Sequence, residues 1–377
     1  MARKNDLLLR AFLFAIALIL ALFCFILIKG KLAFGTDFPA LAIHLPAQAG
    51  QPADGVNPAN VKALYLTSDT VRDPKKMSQI NKLIDDTELN GVVIDVKVGK
   101  PTIDGELEKI VADFNRRGVW TIARIVVMQD SRLATRRPEL AIKNSKGEFW
   151  HSGKREWQRY WVDPASKEVV DYNIQIAKQA IDAGFKEIQF DYIRFPSDGN
   201  MKDMVYPYYK GGSKYEVMAR FFARLNLELK TYDPEILLSI DIFGEAYVNG
   251  RGSGIGQDLK DIEKYFDVIS PMNYPSHFNC GEFGFYDPNQ HPYEIMSKSL
   301  STGKKHLTKP GVIIRPWLQA FSIANIYKCG GKIVYGKDKL AAQIKAVYDN
   351  KHYGWMLWNA SNRYSEEDLK AILAQKN

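Results

Sequence analysis

Between residues 61 and 360, β-branched, aromatic and other apolar residues gather in eight short runs. These are VKALYL (61–66), VVIDVKV (92–98), VWTIARIVV (119–127), EIQFDYIR (187–194), EILLSIDIF (235–243), DVISPMNY (267–274), GVIIRPWL (311–318) and GWMLWN (354–359). Most of the intervals between them place apolar residues at helical spacing, namely 74–89, 105–117, 167–183, 214–232, 257–266 and 337–350. Strands that alternate with amphipathic helices pair in parallel through right-handed crossovers, and eight such units predict an α/β fold, a closed (β/α)8 TIM barrel over residues 61–377. A doubly wound sheet would carry a glycine-rich phosphate turn after an early strand, and Thr67-Ser68-Asp69-Thr70 contains no glycine. The glycines between 250 and 256 lack the G-x-G-x-x-G spacing and read as a flexible loop.

The start of the chain has a different pattern. Residues 11–28 run AFLFAIALILALFCFILI without a charge, and Leu7, Leu8 and Leu9 extend the run beyond Arg10. Eighteen helical residues at about 1.5 Å each reach roughly 27 Å, close to the hydrocarbon thickness of a bilayer. A buried core helix would show a polar face, which this segment lacks. The expectation is one N-terminal transmembrane helix, a membrane anchor within residues 1–35 that meets the lipid bilayer through residues 7–28. A cleaved signal is the alternative, with Ala33-Phe34-Gly35 as a small-residue cleavage site, although signal peptides have a shorter apolar region of roughly 7–15 residues. Arg3, Lys4 and Arg10 outnumber Lys29 and Lys31, which puts the N-terminus in the cytoplasm and everything after the run on the extracytoplasmic side. Residues 36–60 set Pro39, Pro46, Pro52 and Pro58 among Ala, Gly and Gln and read as an extended linker.

Composition and charge add exclusions. With 46% hydrophobic and 25% charged residues the chain is neither disordered nor collagen-like. The formal net charge is +8, half of it on residues 1–35, so the body carries too little positive charge to suggest a nucleic-acid partner. Of three cysteines, Cys24 lies in the apolar run, which leaves Cys280 and Cys329 free to pair or not. The sequence lacks H-E-x-x-H, G-x-S-x-G and G-x-x-x-x-G-K, against a zincin, an esterase or other α/β-hydrolase, and a P-loop enzyme. Six scattered histidines show no paired spacing, and neither a metal nor a cofactor is expected.

In a parallel barrel, chemistry gathers where the strands end. Period-two alternation puts Val93, Asp95 and Lys97 on one side of the second run, and Gln189 and Asp191 on one side of the fourth. Ser239, Asp241 and Phe243 share a side of the fifth run, and Ile313, Arg315, Trp317 and Gln319 a side of the seventh. Unpaired carboxylates are costly to bury, so these residues face either a polar cavity or ion pairs that brace the barrel, such as Asp95 with Lys97 or Asp191 with Arg124. Two carboxyls across a cleft are what glycosidic cleavage requires: one attacks or activates water, and the other protonates the departing oxygen. Asp191 is the candidate nucleophile or charge-stabilising carboxylate and Asp241 the candidate acid, with Glu245 as its substitute. Trp150, Trp157, Tyr160 and Trp161 in the longest interval, with Trp317 and Trp358 near the end, offer flat faces for sugar rings. Trp120 and Trp355 read instead as fillers between barrel and helices.

The stretches VVIDVK (92–97), ARIVV (123–127), RPELAIK (137–143), WVDP (161–164), IQFDYIRFPSDG (188–199), GIGQ (254–257), ISPMNYPSH (269–277), RPWLQ (315–319) and WMLWNASNRY (355–364) resemble the putative glycosyl hydrolase domain family, long catalogued as a domain of unknown function. The likeness runs in order across residues 61–370. It implies a glycosidase-like (β/α)8 barrel found in exported bacterial proteins, and it carries over Asp95, Lys97, Asp191, Tyr192, Arg194, Asp241, Asn273, Tyr274, Arg315, Trp317, Trp358 and Asn359. The chain departs from the family's pattern where acidic residues usually follow Lys97, having Val98-Gly99-Lys100, and at Ala320, where an acid is common. The expected function is a membrane-tethered glycoside hydrolase acting on a cell-envelope or extracellular polysaccharide. Arg124 or Arg194 would keep Asp191 ionised, and Asp95, Tyr274, Arg315 and Asn359 would hold sugar hydroxyls. The alternative is an inactive carbohydrate-binding or envelope-scaffolding barrel.

Overall fold

A computed structural model describes residues 55–153, 159–323, 329 and 334–373. The expected anchor, the linker up to residue 54 and Trp157 lie outside the described residues. Among the described residues no helix is long and apolar enough to cross a membrane.

Eight parallel strands close into a barrel: β1 (Lys62–Leu66), β2 (Gly91–Val98), β3 (Trp120–Val126), β4 (Glu187–Asp191), β5 (Leu237–Phe243), β6 (Val268–Met272), β7 in two pieces (Ile313–Ile314 and Trp317–Gln319) and β8 (Trp355–Trp358). Each pairs with the next, and β8 returns to β1. β7 is interrupted at Pro316, which has no N–H for the ladder. The expected runs all become strands, shortened mainly where their polar ends turn into loops.

The crossovers are α1 (Pro74–Asp86), α2 (Gly105–Arg116), α3 (Lys167–Asp182), α4 (Lys214–Tyr232), α5 (Leu259–Tyr265), α6 (Pro292–Gly303) and α7 (Lys337–Asp349), with α8 (Glu366–Leu373) closing the ring. Their starts are written locally. Asp104 accepts the Leu107 N–H at 3.0 Å to cap α2, and Ser213 with Glu216 opens α4 as an S-x-x-E box. Helix α6, between β6 and β7, is the crossover that hydrophobic spacing did not single out.

Alternation divides each strand between two cores. Leu64, Ile94, Ile125, Phe190, Ile240, Ile269, Leu318 and Leu357 face outward into one continuous layer beneath the helices. Ala63, Tyr65, Val93, Trp120, Ile122, Trp317 and Met356 fill the barrel itself. Trp355 packs in the outer layer as expected. Trp120 does not: it lies inside the barrel, where its indole N–H donates to Glu187 at 3.1 Å.

Glu187, at the start of β4, also accepts from Arg315 Nη1 on both of its oxygens, at 2.8 and 2.9 Å. Arg315 Nη2 donates to the Pro58 carbonyl at 2.7 Å. Pro58–Asn60, which composition placed in the linker, therefore forms a short 3-10 turn that plugs the N-terminal end of the barrel. Gly250, Gly252 and Gly256 pack closely, whereas Gly254 has open space: a Cβ on Gly256, at φ +83°, would meet Met218 Cγ of α4 at 2.5 Å.

Candidate functional site

The strands' C-terminal ends open on a cavity of about 610 Å³. Its floor is organised around Arg124 of β3. Arg124 Nη1 contacts Asp95 Oδ1 at 2.5 Å, its Nε donates to Asp191 Oδ2 at 3.1 Å with Nη2 on the same oxygen, and Nε lies 4.0 Å from Asp241 Oδ2. Three strands thus bring their inward acids to one guanidinium, because Asp95 is opposite Arg124 in register, Asp191 ends β4 and Asp241 lies two residues before the end of β5. Burial works against the charge on Arg124, yet Asp95, then Asp191, hold its pKa well above the usual value. The rings of Tyr65 and Trp358 add cation–π contact, their centroids 5.5 and 5.0 Å from its guanidinium carbon.

Asp191 is fixed through both oxygens. Oδ2 takes Arg124, and Oδ1 accepts the backbone N–H of Tyr192 at 2.6 Å. Tyr192 adopts φ +50°, the left-handed region that a bulky residue enters only under strain, of about 1–3 kcal/mol. That turn swings the chain off β4 and aims its N–H back at the carboxylate.

Asp241 lies deeper, 1% exposed, and Oδ1 accepts the Trp317 indole N–H at 2.7 Å. Burial first, then the charge of Asp191, raises its pKa well above the usual carboxylate range, against Arg124 and the Trp317 hydrogen bond. The shift favours the protonated carboxyl, with Oδ2, the oxygen that does not accept the Trp317 N–H, as the atom to carry the proton. The Oδ2 atoms of Asp191 and Asp241 can be no farther apart than the sum of their distances to Arg124 Nε, about 7 Å.

The walls come from loops. After β6, Tyr274 is almost wholly buried among Phe321 and His277, and its hydroxyl has no hydrogen-bond partner among the described residues although the residue lines the cavity. Burial, then Asp241 and Asp191, raise its pKa well above the phenol range. After β5, Gly244 opens the short helix Gly244–Asn249, and a Cβ there would meet the Met272 carbonyl oxygen at 2.9 Å, so the ends of β5 and β6 approach closely at the cavity edge. Glu245 follows it, exposed on the wall. Glu282, on the loop beyond β6, lines the same cavity, its pKa raised by burial and then by Glu245. That loop is tied by the Cys280–Cys329 disulfide, which answers the open cysteine question. Arg194, past the end of β4, lines the cavity but does not pair with Asp191; among the described residues Arg124 alone does so.

Five expected substrate contacts lie elsewhere. The β2–β3 register shifts between Asp95 and Lys97, so a bulge turns Lys97 out of the barrel, where its ammonium meets Asp130 at 2.8 Å and Asn173 Oδ1 of α3 at 3.2 Å. Asp95 supports the site from beneath: Tyr65 donates to its Oδ2 at 2.5 Å while Oδ1 takes Arg124, and it does not line the cavity. Arg315 faces inward at the wrong end of the barrel, on Glu187. Asn273 is sealed beneath α6, its amide N–H directed to Met296. Asn359 organises its own loop, donating to Ala320 and Arg363 carbonyls at 2.7 and 2.8 Å. Trp317 and Trp358 do line the cavity, as does Tyr192, whereas Trp150 is buried in the outer core. Sequence reasoning passed over Tyr65 and Glu282. The alternation of β1 contained the signal for Tyr65, which shares a face with Ala63; no periodic signal marks Glu282, which sits in a loop.

A family model described as "Putative glycosyl hydrolase domain" matches residues 99–364, a narrower span than the motifs noted above. The glycoside hydrolase domain of PgaB (BpsB) from Bordetella bronchiseptica is 13% identical with a TM-score of 0.59, over 83% of this chain and 98% of that one. The spore cortex-lytic enzyme SleL of Bacillus cereus is 13% identical with a TM-score of 0.51, over 84% and 74%. A hypothetical protein from Ruminiclostridium thermocellum ATCC 27405 is 32% identical over 47% of this chain and 96% of its own, with a TM-score of 0.41. No curated protein matches the chain. At 13% identity the first two likenesses speak for the barrel fold alone.

Proposed function

Because this chain belongs to the putative glycosyl hydrolase domain family, we propose that its cavity cleaves glycosidic bonds, with Asp191 and Asp241 as the working pair. The observation that carries the reading is the unequal treatment of two neighbouring acids. Asp191 is held by a guanidinium and a backbone N–H, whereas burial, then the charge of Asp191, push Asp241 toward its protonated form. Asp191 then serves as nucleophile or charge-stabilising carboxylate at the sugar's anomeric carbon, and Asp241 donates the proton from Oδ2 to the departing oxygen. The bound of about 7 Å on their separation admits the roughly 5–5.5 Å of retaining enzymes and the lower part of the roughly 6.5–9.5 Å of inverting ones. Glu245, exposed on the wall, is the substitute acid. Tyr274, Trp358 and Tyr192 supply a hydroxyl and aromatic faces for the sugar.

The substrate in this reading is a cell-envelope or extracellular polysaccharide, and the barrel is tethered outside the cytoplasm by residues 7–28. The uncharged run, the cations on its N-terminal side and a disulfide suited to an oxidising compartment support that placement. The test is Asp191→Asn in the full chain, assayed on a panel of envelope and extracellular glycans. Hydrolysis seen with the parent should fall by at least roughly 10²-fold. Undiminished product release would overturn the mechanism, and glycan retention without any turnover by the parent would leave a carbohydrate-binding barrel.

A further inference from the structure

Four cations are buried among the described residues, and three of them sit against an acid: Lys97 on Asp130, Arg124 on Asp95 and Asp191, and Arg315 on Glu187. Arg194 is the exception. It is 5% exposed, and no carboxylate among the described residues lies within ion-pair distance. Its Nη1 is spent on the Phe195 carbonyl at 2.9 Å and Ser197 Oγ at 3.2 Å. Asp198, four residues further along the chain, is exposed and is linked to it through that serine hydroxyl. Three rings box the guanidinium, with centroids 4.3 Å away for Phe243, 5.1 Å for Trp161 and 5.3 Å for Tyr192.

Rings fix the plane of a guanidinium and favour its charge, but they accept no N–H in the plane. Among the described residues nothing meets the hydrogens of Nε and Nη2, and neither atom is among the fully enclosed polar atoms, so this edge opens on the cavity that Arg194 lines. Two adjacent N–H groups on one edge match the two oxygens of a carboxylate. A buried cation left without a counter-charge is unfavourable, which makes an anion from outside its natural partner. Arg159, exposed on the cavity wall, adds positive charge close enough to act on Tyr192. Glu245 and Glu282 also line the cavity and disfavour an anion near them, so the cavity has a sign preference at each of these groups.

We propose that the sugar unit bound beside Asp191 carries a carboxylate, as a hexuronic acid or an acid-substituted sugar does, held by Nε and Nη2 of Arg194. This rests on the glycosidase reading for the word sugar, and on Arg194 alone for the charge. The experiment is the shift in unfolding midpoint of the full chain in detergent, with D-glucuronate, D-galacturonate, their neutral parents glucose and galactose, and glucose 6-sulfate at matched concentrations. At least one uronate should stabilise the protein with an apparent affinity roughly tenfold or more above its neutral parent. Arg194→Gln should abolish that preference, and Arg194→Lys, which keeps the charge but loses the fork, should weaken it. Equal shifts from acid and neutral sugars, no shift from either uronate, a preference that survives Arg194→Gln, or stabilisation by the sulfate ester alone would each overturn the proposal. The parent protein decides these arms even where a variant does not fold. Since nothing is turned over, a negative result leaves hydrolysis standing, and an active Asp191→Asn enzyme leaves the acidic-sugar site standing.

Discussion

At the scale of single residues, the fold sets the proton on Asp241. Its pKa is raised in the fold, whereas the unfolded chain releases this proton near the ordinary Asp value of about 3.9. The folded state thus binds the extra proton, and stability from this group falls as pH rises above about 4 toward its folded pKa. Asp241→Asn keeps an oxygen for the Trp317 N–H and has no proton to lose. Urea titrations should show the variant gaining on the parent as pH climbs above about 4, while hydrolysis drops by roughly 10²–10⁴-fold. A variant that loses stability steadily across that range would show that Asp241 is ionised in the fold. In the proposed mechanism the same acid sets the alkaline limb of the parent's hydrolysis, which should fall as pH rises and Asp241 loses its proton.

At the scale of elements, the bulge in β2 decides what Lys97 does. Strict alternation puts Lys97 with Asp95, but the shifted register sends it outward to Asp130, the residue whose Oδ1 also caps the helix Ser131–Arg136 through the Leu133 N–H at 2.8 Å. Lys97→Met strands a buried carboxylate and should cost about 3–5 kcal/mol in chemical denaturation, and Asp130→Asn in the same chain should recover part of it. A cost below about 1 kcal/mol would mean that Asp130 finds another partner. The disulfide is a second element-scale device, since it joins the loop bearing Glu282 to the segment before α7 across 49 residues of chain. Cys280→Ser with Cys329→Ser should cost about 2–5 kcal/mol and raise KM more than it lowers kcat, because the freed loop supplies a wall of the cavity and none of the reacting pair.

At the scale of the whole molecule, the barrel has a structural end and a chemical end built from the same kinds of side chain. Glu187, Arg315 and Trp120 close the first, with Pro58, while Asp191, Arg124 and Trp317 form the second. Glu187→Leu leaves Arg315 buried without its acid and should lower stability by about 3–5 kcal/mol, measured by denaturant midpoint; an unchanged midpoint would remove the brace at this end. The sequence by itself determined the eight strands, most of the crossovers, and the inward face of side chains such as Asp191, Asp241 and Trp317, because periodicity is a local property of backbone geometry. Depth along the barrel, the bulge at Lys97, the sealing of Asn273, the loop that brings in Glu282 and the missing partner of Arg194 came only with tertiary structure. Each depends on how neighbouring strands are staggered and what packs across them, and those distances join residues far apart in the chain.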